Sequence, residues 1–417
     1  MSQKRIVIPA SVSSRRGDIA RSPSFASGRD VFRLGQAVMA IESQAKQGNL
    51  DLAVTIPVSL LNLERFQVAD LASEIERLCE FFWPIEVTVH FAASDTRVRT
   101  TEIAFAHDGV DAVCLFSGGV DSLAAVLSSL GSMHPVALFV AHSDQAGAIS
   151  IVSGLSESVL RRRSIPLMRM YAPPMRRTGY SQARGFLYGM AALALADTAR
   201  IGQIVIGECG PTMFQPRFGP FDYTTMTSHP VVLETIRGIA HHLNDGHVKL
   251  TTPLADSTKA EAIARLPSKN LLRLTHSCIS QQFRRHDGTC YGCVIRRLAS
   301  LDAGFPDVDY KFNPLAGRGK GKDNVLSLLR FSHDVLEDFD ALPPETIEEM
   351  QVWKTRGLFE RFALDNLAGF YLWTSVRGPR TPLAERVSKV FGLRGMRDQL
   401  IDRIHHVRRL HRAFAGG

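Results

Sequence analysis

The chain has 417 residues, 45% of them hydrophobic and 22% charged, with 49 Lys and Arg against 41 Asp and Glu for a net charge of +8. That length is too great for one ordinary core and predicts about two or three domains. The composition excludes a disordered chain, and no run approaches the roughly 18 apolar residues of a membrane span. The mild basic excess suits anionic ligands such as nucleotides and permits nucleic-acid contact without requiring it. The opening Met1-Ser-Gln-Lys-Arg-Ile-Val-Ile-Pro sets its charges before a very short apolar run. That is not the pattern of a secretory signal, so a cytoplasmic protein is expected.

Three regions follow along the chain. Residues 1–110 read as an N-terminal α+β accessory module. Apolar residues alternate through the strand-like Ile85–Phe91, and they recur at helical spacing from Val68 to Phe82. The segment from Ser11 to Gly28, rich in Ser, Arg and Gly, reads as a loop. Over residues 111–304, apolar strands at Val113–Phe116, Val136–Val140, Leu167–Tyr171 and Ile204–Gly207 alternate with helices at Leu123–Leu130 and Gln182–Arg200. Such alternation predicts right-handed crossovers and a doubly wound parallel sheet, an α/β fold that binds ligands at the carboxyl ends of its strands. Glu208 falls at one such end. Residues 305–417 read as a helical region with a basic loop at 317–322 and a strongly basic end from Arg403 to Arg412. The plainer reading of that end is a solvated helix face, and the other is a face for phosphate or a partner.

The strand ending at Phe116 runs at once into Ser117-Gly118-Gly119-Val120-Asp121-Ser122, and a helix begins after it. Paired glycines let the backbone turn tightly and aim successive N–H groups at one anion, reinforced by the helix N-terminus. Ser117 and Ser122 can donate hydroxyl hydrogen bonds to phosphate, whereas Asp121 suits Mg²⁺ or the fixing of the loop. This is not the G-x-x-x-x-G-K-[ST] loop of Walker type. Of the six cysteines, three lie between Cys278 and Cys293, and in a cytosolic chain such a cluster reads as a metal site. Cys79, Cys114 and Cys209 are scattered and read as buried thiols.

The loop resembles the SGGxDS signature of the PP-loop ATP pyrophosphatases, of adenine nucleotide alpha hydrolase-like fold. Further motifs follow in order: Gln182-Ala-Arg184-Gly, Ile204-Val-Ile-Gly207-Glu208, Thr252-Pro-Leu254, Thr258-Lys259-Ala-Glu261, Thr275-His-Ser-Cys278 and Cys290-Tyr-Gly-Cys293-Val-Ile-Arg-Arg297. As a series they are similar to 7-cyano-7-deazaguanine synthase (QueC). That resemblance covers Val113 to Gly304, under half of the chain. It implies ATP, Mg²⁺ and Zn²⁺ as cofactors. Ser117, Gly118, Gly119, Val120, Asp121 and Ser122 would hold the ATP phosphates. Lys259 would balance charge on the leaving pyrophosphate, Arg184 would match the arginine that opens the family's next helix, and Glu208 and Asp222 would face the substrate.

The resemblance further implies a zinc-binding segment at 276–297, with Cys278, Cys290 and Cys293 as ligands. The family uses four cysteines. Alignment on the final pair puts Asp287 where the fourth belongs, while the adjacent His286 is chemically the better zinc ligand, and His276 is a further candidate. The family's tyrosine-proline-aspartate-cysteine stretch is absent, Phe221 to Pro230 occupies that region, and both ends are extended. Those departures look like the larger QueC-like proteins of bacterial anti-phage cassettes, the QatC group. The expected activity is adenylation of a carboxylated deazaguanine and its transfer to an amine, with the N-terminus of a neighbouring gene's protein as acceptor. The alternatives are ammonia-using nitrile synthesis, a tRNA-modifying PP-loop enzyme, and an idle nucleotide-binding regulator. Against the second stands the lack of any recognisable tRNA-binding module, so nucleic acid is not the favoured partner. Against the third stands the presence of both Asp121 and Lys259. No membrane partner is expected, and a homo-oligomer stays open.

Overall fold

The structure, a computed structural model, describes residues 4–7, 26–94, 109–142, 146–172, 181–214, 226–244, 246–278, 286–315, 320–374 and 382–415. The first half of the chain forms β1 (Lys4–Val7), α1 (Ala26–Ala45), β2 (Asp51–Val58), α2 (Leu60–Val68), α3 (Leu71–Phe82), β3 (Glu86–Ala93), β4 (Ala112–Leu115), α4 (Val120–Ser129), β5 (Pro135–His142), α5 (Ala146–Leu155), β6 (Leu167–Ala172), α6 (Arg184–Ala199) and β7 (Gln203–Val205). Then come α7 (Gly210–Phe214), α8 (Pro230–Asn244), β8 (Lys249–Thr251), α9 (Lys259–Ala264), α10 (Leu271–Leu274), α11 (Tyr291–Ala303), α12 (Lys320–Glu337), α13 (Pro344–Val352), α14 (Arg356–Leu372), α15 (Pro382–Val390) and α16 (Arg397–Ala415). No helix among the described residues is long and apolar enough to cross a membrane.

The chain divides into two compact units that cut across the three expected regions. Residues 1–117, 129–207 and 225–253 make one, and 118–128, 208–224 and 254–417 make the other.

The first unit holds both sheets. In one, β1, β2 and β3 lie side by side and every pair is parallel. Period-2 patterning is clear along β2, where Leu52, Val54, Ile56 and Val58 are buried and the residues between them only partly so. The sheet within the region read as an α+β module is thus wholly parallel. Alternation identifies a strand but carries no direction, and the helices between successive strands make the parallel crossovers. Helix α1 packs along α6, and Gly35 permits the close crossing, since a Cβ there would lie 2.8 Å from the Leu187 Cα.

The other sheet has the order β6-β5-β4-β7-β8, again with every pair parallel. The chain winds outward from β4 through β5 to β6, then returns to the opposite side of β4 for β7 and β8. Strand order therefore reverses between β4 and β7. This is an α/β fold compatible with a Rossmann-like winding, and the reversal is the kind of switch point at which such sheets take ligands. The segments leaving the sheet there begin at Phe116 and Ile206.

The second unit is helical among its described residues. Helix α14 packs on α11 and α12, and α9 on α11 and α16. Phe359, Phe362, Leu367 and Phe370 on α14 are at most 2% exposed, which makes that helix the centre of the unit's core. Gly369 lets α14 approach α11 closely, because a Cβ there would sit 2.3 Å from the Leu298 carbonyl oxygen. The basic C-terminal helix is not simply a solvated face. Leu400, Arg403, Ile404 and Val407 are buried along one side of α16, while His405, His406, Arg409 and Arg412 are exposed. Of the proposed loops, residues 11–25 and 317–319 lie outside the described residues, while 26–28 open α1 and 320–322 open α12.

Candidate active site

Strand β4 ends at Leu115, and the Phe116 amide still donates to the Leu138 carbonyl of β5 at 2.9 Å. Ser117 is exposed, and Gly118 takes φ +80°, a left-handed conformation in which glycine is strongly favoured. Helix α4 then starts at Val120 with Asp121 in its first turn. The Ser122 hydroxyl donates to the Gly119 carbonyl at 3.0 Å, which tightens the helix start. The N–H groups of this first turn carry the positive end of the helix dipole, and such an end favours an anion.

Lys259 opens α9. Its helix start is fixed by a reciprocal capping box: the Glu261 amide donates to the Thr258 hydroxyl oxygen at 3.2 Å, and the Thr258 amide donates to Glu261 Oε2 at 3.0 Å. From that position the Lys259 ammonium pairs with Asp121 Oδ2, with 14% and 9% of the two side chains exposed. Burial alone would lower the Lys259 pKa. Asp121 foremost, with Cys209 and Glu208 beside it, more than reverses this and leaves it raised. Lys259 is thus held as a cation. The other oxygen of Asp121, Oδ1, is buried without a hydrogen-bond partner. A buried carboxylate oxygen left open in this way is a ready acceptor for a cation or an N–H donor.

Glu208 is half-buried and close enough to Lys259 to stabilise its charge. The next residues are locked onto the segment before α9. The Gly210 amide donates to the Ser257 carbonyl at 3.1 Å, and a Cβ on Gly210 would lie 2.2 Å from the Ala255 carbonyl oxygen. Cys209 is 1% exposed, and burial, followed by the Asp121 charge, pushes its thiol up to about 12. It is a neutral packing group and not a nucleophile. Asp121, Lys259 and Glu208, far apart in sequence, are therefore brought together. Arg184 and Ser117 belong to the first unit, where Arg184 is half-buried at the start of α6 and the following Gly185 has no room for a Cβ beside the Thr227 carbonyl. Asp222 lies outside the described residues.

The cysteine cluster assembles as a set that could hold a metal ion, and the Ser117–Ser122 loop is tied to its start, since the His276 amide donates to the Gly118 carbonyl at 3.0 Å. Cys278, Asp287, Cys290 and Cys293 present ligand atoms that all lie within 4.8 Å of one another. The Cys278 and Cys290 sulfurs are 3.9 Å apart. A tetrahedral zinc with bonds of about 2.3 Å to sulfur requires edges of about 3.8 Å, so the set fits such an ion. Cys290 caps α11 and Cys293 lies in its first turn, the geometry that C-x₂-C spacing gives at a helix start. The thiols of Cys290 and then Cys293 donate toward Cys278 and hold it down at about 3, which favours a thiolate there.

The residue grouped with the three sulfurs is Asp287, whereas the expectation from ligand chemistry favours its neighbour His286. His286 Nε2 accepts from the Ser277 amide at 3.1 Å, and its ring stacks 4.5 Å from that of His276. Burial, the Arg296 cation and His276 push His286 down to about 3, so it is a neutral brace behind the sulfur set. Asp287 is oriented by the Thr289 and Cys290 amides, which donate to its Oδ1 at 2.8 and 3.1 Å.

Arg296, fully buried on α11, clamps the approach to Cys278. It donates to the Thr275 hydroxyl at 2.8 Å and pairs with Asp307 at 3.0 Å. Sequence reasoning missed a further group: Arg403, which pairs with both Asp365 and Glu261 of the capping box. Only the free second oxygen of that glutamate could have signalled it.

Compared with protein-family models the chain matches none, and compared with curated proteins it also matches none.

Proposed function

We propose that this chain is an AMP- and pyrophosphate-forming C–N ligase of the PP-loop, QueC-like type, acting on a carboxylated deazaguanine. The observation that carries this reading is the Lys259–Asp121 pair at the start of α4, with Asp121 Oδ1 buried and open. A fixed cation and a helix N-terminus beside an uncommitted carboxylate oxygen form a site for metal-bound polyphosphate. Mg²⁺, when bound, would offset phosphate charge, with Asp121 Oδ1 as its protein ligand.

In this reading a substrate carboxylate oxygen attacks the α-phosphorus of ATP, and the bond to the pyrophosphate oxygen breaks. Lys259 stabilises the charge that develops on the leaving group. An amine nitrogen then attacks the acyl carbon, AMP departs, and the nitrogen gives up its proton as the amide forms. The acceptor we favour is the N-terminus of a partner protein encoded nearby, in an anti-phage role, because the resemblance is to the larger members of the group. ATP as substrate fits a cytoplasmic setting.

Incubation with MgATP, 7-carboxy-7-deazaguanine and the proteins of neighbouring genes tests this. The expected products are AMP, pyrophosphate and a covalent mass increase on one partner. Asp121→Asn and Lys259→Ala should each lower AMP formation by about a hundredfold or more. ADP as the only adenine product would sink the adenylation reading, and conversion of the free base to its nitrile with no protein modified would replace the protein acceptor with ammonia.

A further inference from the structure

The Glu261 carboxylate does two things at once. Oε2 closes the capping box on the Thr258 amide, at the residue immediately before Lys259. Oε1 accepts from Arg403 Nη2 at 2.7 Å and is 3.3 Å from Arg361 Nε. Arg403 Nε donates to Asp365 Oδ1 at 2.6 Å, and the Thr258 hydroxyl also hydrogen-bonds Asp365. The loop closes on itself: α9 through Thr258 and Glu261, α14 through Asp365, α16 through Arg403. The Arg403, Glu261 and Asp365 side chains are 6%, 9% and 3% exposed, so water does not screen these contacts. Arg361 adds a second tie, donating to the Asp256 carbonyl and carboxylate at 2.8 Å each.

α9 is a single short run, Lys259–Ala264, too short to hold its own direction in water. Its first residue is the cation that meets Asp121. Whatever fixes the first turn of α9 therefore fixes the ammonium.

We propose that Arg403 is a positioning residue that acts through Glu261 and Asp365 to hold Lys259 against Asp121. The inference rests on the reading of Lys259 as the cation that meets ATP phosphate. Arg403 touches neither Lys259 nor Asp121 directly; its effect passes through the capping box. A displacement of about 1 Å at a positioned group costs on the order of a hundredfold in rate.

The test is a double-variant cycle joined to hydrogen exchange. Arg403→Gln should lower AMP formation from MgATP and 7-carboxy-7-deazaguanine by about a hundredfold, with Arg403→Lys retaining part of the rate through one of the two ion pairs. Combined with Lys259→Ala, Arg403→Gln should add little further loss, because both act on one group. Amides over residues 256–264 should exchange faster in Arg403→Gln while those of the β4–β8 sheet do not change. If Arg403→Gln does not fold, Glu261→Gln and Arg403→Lys carry the same cycle. Losses that multiply with those of Lys259→Ala, or unchanged exchange over 256–264 in a folded variant, would overturn the positioning role. Wild-type protein that makes no AMP would remove the adenylation reading alone, and the exchange experiment would still decide what Arg403 holds.

Discussion

At the scale of single residues, the metal set separates two neighbours that sequence alone left as rivals. His286 and Asp287 are adjacent, and imidazole is the commoner partner for thiolates. A carboxylate oxygen of Asp287 lies within 4.8 Å of the three sulfurs, whereas His286 Nε2 accepts from the Ser277 amide. Asp287→Ala should lower bound zinc from about one per chain to near none after dialysis against a chelator, and His286→Gln should retain it, as elemental analysis will show. Equal loss in both variants would return His286 to the ligand set. Cys290 and Cys293 were legible from C-x₂-C spacing, which needs only a helix start, and Cys278 from its place in the same cluster. The choice between Asp287 and His286 was not, since it depends on which way two consecutive side chains leave one loop.

At the scale of elements, α11 and α14 meet through two carboxyl groups. Both oxygens of Asp302, together with Asp365 Oδ2, are buried without a conventional donor. One shared proton joins an Asp302 oxygen to Asp365. Burial raises both carboxyls, but Asp365 is the ion-pair partner of Arg403, which opposes the rise there, so the proton is assigned to Asp302, whose pKa burial and then Asp365 raise well above the usual carboxylate range. The folded state thus binds a proton that the unfolded state releases near pH 4. Stability from this group is fully present below that value and is lost as pH rises toward the folded pKa. Asp302→Asn keeps a donor toward Asp365 and has nothing to ionise. Its melting temperature relative to wild type should therefore rise between pH 4 and pH 8, and a constant difference across that window would count against the shared proton.

The capping box was legible in Thr258-Lys-Ala-Glu261, and the strands of residues 111–304 in their apolar runs, because both are local patterns. Partnerships across 142 residues, such as Glu261 with Arg403, leave no local pattern. The parallel direction of β1, β2 and β3 is hidden for the same reason.

At the scale of the whole molecule, residues 305–417 share a compact unit with 254–304 and do not form a separate body. Truncation after residue 304 would strip α14, with Phe359, Phe362, Leu367 and Phe370, from the core of that unit. Each such side chain contributes about 1.5–3 kcal/mol by burial, against a total stability of about 5–15 kcal/mol for a typical domain. The truncated chain should therefore show no cooperative melt for the second unit by calorimetry. A retained sharp transition would mean that the C-terminal helices are an independent domain after all.

The ring of contacts from Glu261 to Arg403 also sets an order of events during synthesis. Elongation at about 5–20 residues per second puts roughly 7–30 seconds between the emergence of α9 and that of its α16 partner. For that interval the nascent chain carries the Ser117–Ser122 loop and Lys259 without the buried arginine proposed to position that lysine. On the proposed adenylating function, affinity for nucleotide should then appear late on the ribosome, as the last helix docks, and not when the loop itself emerges.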